Sequence, residues 1–220
     1  MASNRRAFLT VTAVGALAAA PAAAAPVTTG HPHDSRTALA ELLAGNRRYA
    51  TGRSRHPHDT VHRRHLLAGA QHPFAVIVGC IDSRVPPELV FDQGLGDLLC
   101  IRTAGQVLDE AVLASVQYGV EELRIPLVVV LGHERCGAVA ATLEHLRTGA
   151  PVPAHLNLLV DEITPSARRT RALPGDWAEH TMTAHTRWVR DAIRADPAFR
   201  RAHVAAARFD LDTGLVSVLP

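Results

Sequence analysis

The sequence of 220 residues has no lysine, only three cysteines and few aromatic side chains. Its 23 basic residues are all arginine and face 21 acidic residues, which gives a formal net charge of +2. Three cysteines are too few for a disulfide framework, because any pairing leaves one over. Without Arg5 and Arg6, which lie in a segment that we expect to be removed, 21 basic residues face 21 acidic ones. A chain with balanced charge lacks the basic footprint of a nucleic-acid-binding protein.

The rest of the composition is typical of a soluble globular protein, with 47% hydrophobic and 20% charged residues. A chain of this length buries roughly 70% of its unfolded surface, so one domain can form a stable core without disulfides. Histidine is abundant, with 13 residues, which directs attention to metal or proton chemistry.

Residues 1–25 have the three parts of a secretory signal peptide: a charged start, an apolar stretch and an alanine-rich end. The pair Arg5-Arg6 followed by Phe8-Leu9 resembles a bacterial twin-arginine signal, and an ordinary Sec signal is the alternative. The apolar stretch is too short and too rich in alanine for a stable membrane span. We therefore expect an exported protein, located in the periplasm, the cell envelope or the medium of a bacterium, with no membrane span in the mature chain.

Beyond this segment, the sequence predicts a flexible linker over residues 26–36 and a single folded domain over residues 37–220. Three short apolar runs in the domain lack alternation, which is typical of strands covered on both faces of a parallel sheet. These runs are Phe74–Gly79, Leu98–Ile101 and Leu127–Leu131. Helical patterns lie between and around them, which predicts an α/β fold with parallel pairing.

Apolar spacing also predicts the helices. They span residues 37–49, 61–70, 111–123, 137–146 and 155–201. Pro165 and Pro174 are expected to break the last of these. The C-terminal tail predicts a strand, a turn at Asp212–Gly214 and a last strand.

Residues with metal-binding side chains follow two of the predicted strands. Cys80 comes directly after the first strand, and His133 and Cys136 follow the third. The carboxyl ends of parallel strands are where functional residues gather in an open sheet. Two thiolates and an imidazole suit zinc, and a set of three leaves the fourth position free for water, as in catalytic zinc sites. The sequence alone leaves two alternatives open, which are ordinary core packing and a Cys80–Cys136 disulfide formed after export.

The pattern Cys80-x-Asp82-x-Arg84, followed about fifty residues later by His133-x-x-Cys136, resembles the paired motifs of the β-class carbonic anhydrases. Further segments are similar to the same family and extend the resemblance to about residues 38–219. These segments are residues 42–47, 85–97, 102–105, 128–133 and 208–214.

The resemblance implies one zinc ion per subunit, held by Cys80, His133 and Cys136, with water or hydroxide as the fourth ligand. It implies reversible hydration of CO2 to bicarbonate and a proton by that hydroxide. Asp82 and Arg84 would form the catalytic dyad, in which the carboxylate accepts the hydroxide's proton in a hydrogen bond and the arginine fork holds the carboxylate ionised. In part of the family the same aspartate becomes a fourth zinc ligand and closes the site.

The same resemblance implies three substrate-binding positions. Gln71 would donate a hydrogen bond to the substrate, Tyr118 would reach a neighbouring subunit's pocket, and Gly137 would offer a backbone N–H near the metal. Two departures from the family pattern stand out. Gln106 replaces the usual asparagine, and residues 184–186 lack the usual Asn-Val.

The fold implied is a central, mostly parallel sheet of four parallel strands plus a C-terminal antiparallel strand, flanked by helices. The expected assembly is a homodimer or tetramer, and the expected small-molecule partners are CO2 and bicarbonate. Two alternatives are an exported zinc-binding or thiol redox protein without catalytic activity, and a carbon disulfide hydrolase with the same fold and zinc.

Overall fold

The computed structural model describes residues 32–220. The predicted signal peptide, residues 1–25, and most of the predicted linker, residues 26–36, lie outside the described residues. The first helix begins at Ser35, two residues earlier than predicted. The reason is Asp34, whose carboxylate accepts two backbone N–H groups of the first turn and so caps the helix.

Five strands form one sheet in the described part of the chain. In chain order they are β1 (Ala75–Cys80), β2 (Leu98–Thr103), β3 (Leu127–His133), β4 (His203–Phe209) and β5 (Val216–Leu219). Their order across the sheet is β2-β1-β3-β4-β5, with parallel pairing up to β4 and an antiparallel β4–β5 pair. The prediction of four parallel strands closed by one antiparallel strand is confirmed.

Seven α-helices of residues 32–220 flank the sheet. They are α1 (Ser35–Ala50), α2 (Val61–Leu66), α3 (Pro87–Val90), α4 (Glu110–Gln117), α5 (Gly137–Thr148), α6 (Asn157–Thr170) and α7 (Trp177–Ala195). A π-helical turn over Tyr118–Glu122 continues α4, so the helix predicted over 111–123 combines two helix types. Among the described residues, every helix is too short or too polar to cross a bilayer.

Alternate residues of the central strands enter two separate cores. On one face, Ile77 and Val129 pack in the cluster that includes α1 and α3. On the other face, Val78 and Val130 pack in the cluster that includes α4 and α7. Strands β1 and β3 are buried at every residue, which explains why their sequences are apolar without alternation.

The prediction that Leu98–Ile101 is covered on both faces holds only in part for the single chain, because Leu98 and Cys100 pack against one core and Leu99 and Ile101 against the other without being fully buried. These residues belong to β2, which is half-buried along its whole length. The reason is its position, because β2 is an edge strand and pairs with β1 on one side only.

The prediction that Pro165 breaks a helix is also wrong, because α6 runs through it without interruption. A proline inside a helix removes one backbone hydrogen bond and costs about 3 kcal/mol. The buried face of α6, which includes Val160, Ile163 and Ala167, packs against α5 and α7 and offsets that loss. Pro174 lies between α6 and α7, so the second predicted break is confirmed.

Candidate metal centre

The three predicted zinc ligands come together at the carboxyl edge of the sheet. Cys80 is the last residue of β1, His133 is the last residue of β3, and Cys136 directly precedes α5. Because β1 and β3 pair in parallel, their carboxyl ends lie side by side. One ligand atom from each of the three side chains lies within 4.8 Å of the other two. All three residues are buried, and His133 is completely so.

His133 has one bare ring nitrogen. Its Nδ1 lies 2.8 Å from the carbonyl oxygen of Glu134, which can only accept a hydrogen bond, so Nδ1 carries the proton. Its Nε2 is buried and has no hydrogen-bond partner within residues 32–220. An unpartnered lone pair is unfavourable in a protein interior, and a metal ion would satisfy it. Two sulfur atoms and one imidazole nitrogen are donors that zinc prefers, so the residues fit this ion.

Cys80 and Cys136 are free thiols that interact with each other. A hydrogen bond from Cys136 lowers the pKa of Cys80, and the backbone N–H of Gly105, 3.3 Å from the Cys80 sulfur, lowers it further. The same hydrogen bond, together with burial, raises the pKa of Cys136. The cluster thus favours a thiolate beside a thiol, and a divalent cation would displace the remaining proton.

Asp82 and Arg84 form a two-point ion pair at the border of the cluster. The Arg84 guanidinium donates from Nε to Oδ1 at 2.9 Å and from an Nη to Oδ2 at 2.7 Å. These hydrogen bonds lower the pKa of Asp82 to about 2, so the carboxylate is ionised at neutral pH. Its Oδ2 lies 3.9 Å from Nε2 of His133. The predicted dyad is therefore assembled next to the candidate ligands, and its catalytic role stays a prediction.

Sequence reasoning missed the residue that fixes the turn after β1. Arg102 of β2 donates to the carbonyl oxygens of Cys80 at 2.8 Å and of Asp82 at 2.7 Å. It therefore holds the backbone on both sides of Ile81 and sets the direction in which the Cys80 and Asp82 side chains leave the chain. The sequence does contain a hint of this role, because Arg102 follows a predicted strand and functional side chains gather at the carboxyl ends of parallel strands.

The other predicted residues lie at the surface of the single chain. Gly137 is the exposed first residue of α5, where the helix has no internal acceptor for its N–H. Gln71 is exposed between α2 and β1. Tyr118 is about half-exposed and lines a groove of about 410 Å³ beside β2, together with Leu99 and Cys100. Cys100 lies outside the metal-binding cluster, and burial raises its pKa. The predicted substrate contacts of Gln71, Tyr118 and Gly137 remain predictions.

Solved β-class carbonic anhydrases have the same fold. A tetrameric β-carbonic anhydrase from the ascomycete Sordaria macrospora aligns with a TM-score of 0.67 and 20% identity, over 83% of this chain and 97% of that one. The Coccomyxa enzyme, solved in complex with acetazolamide, aligns with a TM-score of 0.60 and 21% identity, over 84% and 82% of the two chains. The fold and the cysteine–histidine cluster together define an α/β protein of the β-carbonic anhydrase type.

The sequence model of the carbonic anhydrase family matches residues 75–216, which is more than half of the chain. The chain therefore belongs to the carbonic anhydrase family. The carbonic anhydrase of Mycolicibacterium smegmatis is 50% identical over 125 residues, which are 57% of this chain and 61% of that protein. Carbonic anhydrase 2 of Mycobacterium tuberculosis is 49% identical over 125 residues, which are 57% and 60% of the two chains. The matched part of the chain spans about three fifths of the length of these relatives.

Proposed function

We propose that the chain catalyses the reversible hydration of CO2 to bicarbonate and a proton, with one zinc ion held by Cys80, His133 and Cys136. The observation that carries this proposal is the buried cluster of three donor atoms in a chain of the carbonic anhydrase family. When bound, zinc lowers the pKa of a water molecule and so supplies a nucleophile at ordinary pH. Cys80, His133 and Cys136 would hold the ion with three donors and would leave one position open for that solvent molecule.

Asp82 and Arg84 orient the attacking oxygen. Because Arg84 keeps it ionised, Asp82 can only accept hydrogen bonds, and it accepts one from the O–H of the attacking group without taking up the proton. This contact turns a lone pair of the oxygen towards CO2 and holds it there. The two-point grip of Arg84 engages both carboxylate oxygens, which favours the open arrangement over one in which Asp82 turns to the metal as a fourth ligand.

Substrate binding falls to Gln71, Gly137 and Tyr118. The side-chain amide of Gln71 and the backbone N–H of Gly137 are donors that suit the oxygens of bicarbonate. Tyr118 is proposed to act in the site of a neighbouring subunit, in keeping with its exposure beside the edge strand β2.

A homodimer, alone or within a tetramer, is proposed as the functional unit. Large apolar side chains next to the metal-binding cluster and beside β2 are exposed in the single chain, among them Ile81 and Tyr118. Ile81 follows directly after Cys80, so a second subunit covering it would also exclude water from the site. Analytical ultracentrifugation should show a dimer or a larger species for the wild type. The Ile81→Asp variant should sediment as a smaller species, because a charge at this position disrupts the contact. A monomeric wild type overturns this assignment.

Export by the twin-arginine route is proposed from residues 1–25 alone. Replacing both Arg5 and Arg6 by lysine in the full chain should retain the protein in the cytoplasmic fraction of a bacterial host that exports the wild type. Unchanged export of the double variant would favour the Sec route instead.

The proposed activity is tested by zinc content and CO2 hydration rate, measured on the wild type and two cysteine variants. Cys136→Ala should lose most of its zinc and its activity, whereas Cys100→Ala should keep both, because Cys100 lies outside the cluster. A Cys136→Ala variant with full metal and full rate overturns the proposal. A sulfide-release assay with carbon disulfide, run on the same zinc-loaded samples, identifies the alternative substrate if CO2 is not hydrated.

A further inference from the structure

The turn that follows β2 is tied to the middle of α7 by two side chains. His185 is completely buried, and its Nε2 lies 3.1 Å from the carbonyl oxygen of Gly105. The side chain of the next residue in the turn, Gln106, donates to the Thr186 hydroxyl at 3.1 Å. The two stretches that depart from the family pattern in the sequence therefore contact each other in the fold.

The tautomer of His185 follows from this contact. A carbonyl oxygen only accepts hydrogen bonds, so Nε2 must carry the proton and donate it to Gly105. Burial lowers the pKa of His185 to about 4, so the ring stays neutral at ordinary pH. The ring also stacks on Trp188, with centroids 5.8 Å apart, which fixes its orientation.

Gly105 in turn contacts a candidate metal ligand, because its backbone N–H donates to the Cys80 sulfur at 3.3 Å. The φ of Gly105 is +66°, in the left-handed region. Glycine adopts this conformation readily, but it adopts other backbone conformations as readily, so glycine alone does not fix the turn. Contacts around the turn therefore help to hold the donor to Cys80 in place. His185 supplies a buried hydrogen bond at the same residue.

We propose that His185 is a positioning residue of the metal centre, which acts through Gly105 to keep a backbone N–H aimed at the Cys80 thiolate. This inference rests on the proposed function, since it assumes that Cys80 binds zinc. Groups that hydrogen-bond a metal ligand orient it and tune its affinity, and their loss typically weakens metal binding about 10- to 100-fold. Gly105 makes that hydrogen bond to Cys80, and His185 acts one step further out by holding Gly105, which lies 80 positions away in the chain.

The experiment compares zinc release from full-length, zinc-loaded variants to an excess of a coloured chelator. His185→Met removes the donor and keeps a side chain of similar length, while His185→Gln keeps an N–H at a similar reach. His185→Met should release zinc about 10-fold faster than the wild type or more, and His185→Gln should stay within about 3-fold of it. His185→Asn, whose amide is one methylene shorter, should behave like His185→Met.

Thr181→Val is the matched control for a merely structural effect. Thr181 is also completely buried in α7, and its hydroxyl bonds to Thr170 of α6 and not to the turn. This variant should lose stability but release zinc at the wild-type rate. The charge-transfer absorption of the cobalt-substituted proteins should change in His185→Met and not in Thr181→Val, because it reports the thiolate ligands.

Equal rates of zinc release by the wild type and His185→Met overturn the inference. Equal acceleration in His185→Met and His185→Gln also overturns it, because the effect would then come from the shape of the side chain and not from its hydrogen bond. Both outcomes leave the proposed function intact. A wild type that binds no zinc overturns the proposed function and this inference with it, so the two failures are distinguishable.

Discussion

Arg84 shows how much of the candidate chemistry depends on the geometry of one side chain. Its planar guanidinium engages both oxygens of Asp82, which a lysine ammonium cannot do from a single point. The orientation of the Asp82 carboxylate therefore depends on the shape of its partner as well as on the partner's charge.

Arg84→Lys should lower kcat/KM for CO2 hydration about 10- to 100-fold while the zinc content stays unchanged. The lysine keeps the positive charge but would leave one carboxylate oxygen of Asp82 free to turn towards a zinc ion bound at the cluster. Arg147→Lys, in an exposed ion pair with Glu144 on α5, is the control and should have wild-type activity. Full activity of Arg84→Lys would show that charge alone suffices.

His185 makes the stability of the protein sensitive to moderate acid. Burial lowers its pKa from 6.5 to about 4 in the folded chain. Between these pH values the unfolded chain binds the proton and the folded chain does not, so the free energy of unfolding falls as the pH falls from 6.5 to 4. The loss attributable to this residue reaches about 3 kcal/mol and does not grow at lower pH.

Urea unfolding of the wild type and His185→Gln at a series of pH values measures this contribution. The difference in the free energy of unfolding between the two proteins should change across pH 6.5 to 4 and be constant above it. A difference that is independent of pH would mean that His185 does not titrate as its burial requires.

At the scale of the elements, each candidate ligand at a strand end follows a glycine, but the two glycines have different surroundings. A Cβ on Gly132, next to His133, would lie 2.8 Å from the sulfur of Met182 and closer still to the Thr186 hydroxyl, both on α7. A Cβ on Gly79, next to Cys80, would meet its nearest atom, the Leu131 carbonyl oxygen, at 3.8 Å. Glycine is thus required where α7 crosses β3.

Gly132→Ala should lower the free energy of unfolding by about 1–3 kcal/mol, because α7 would have to move away from β3. Gly79→Ala, in the neighbouring strand β1, should change the free energy of unfolding by less than about 1 kcal/mol. Chemical denaturation of both variants tests the comparison. Similar values for the two would contradict the close crossing of α7 over β3.

The elements that could be predicted from the sequence are those with a local signal. The strands β1 and β3 are continuous apolar runs, and the cysteines and histidine at their carboxyl ends are residue types that bind metals. The helix through Pro165 could not be predicted, because the buried face of α6 that outweighs the proline depends on neighbours distant in sequence.

The surroundings of the metal centre were not predictable for the same reason. The contacts of Gly105 with His185 and of Gln106 with Thr186 each join residues 80 positions apart. They exist because α7 packs beneath the end of β3, and no periodicity in either segment encodes that placement. The sequence pattern shows that α7 packs on the sheet, but it does not show which strand the helix crosses.

At the scale of the whole molecule, zinc should couple the sheet to the segment before α5. The candidate ligands come from β1, from β3 and from the residue that precedes α5, so a bound ion joins three parts of the fold. A ligand that binds only the folded state stabilises it in proportion to the logarithm of its concentration.

Adding zinc to the metal-free protein should raise the free energy of unfolding by about 4 kcal/mol when free zinc exceeds its Kd about 1,000-fold. Differential scanning calorimetry should show the corresponding rise in Tm for the wild type and Cys100→Ala. No rise is expected for Cys136→Ala. An equal rise in all three would place the ion elsewhere on the protein.

The two borders of the sheet within the described residues differ in a way that limits how copies of the chain can join. The border formed by β5 is four residues long and runs directly into Pro220, which has no N–H to offer an incoming backbone. The opposite border, β2, is six residues long and ends without such a stop. If copies of the chain join strand to strand, the six-residue β2 border offers more backbone groups for pairing than the four-residue β5 border, and a two-fold contact through β2 closes at a pair without extending into a fibre.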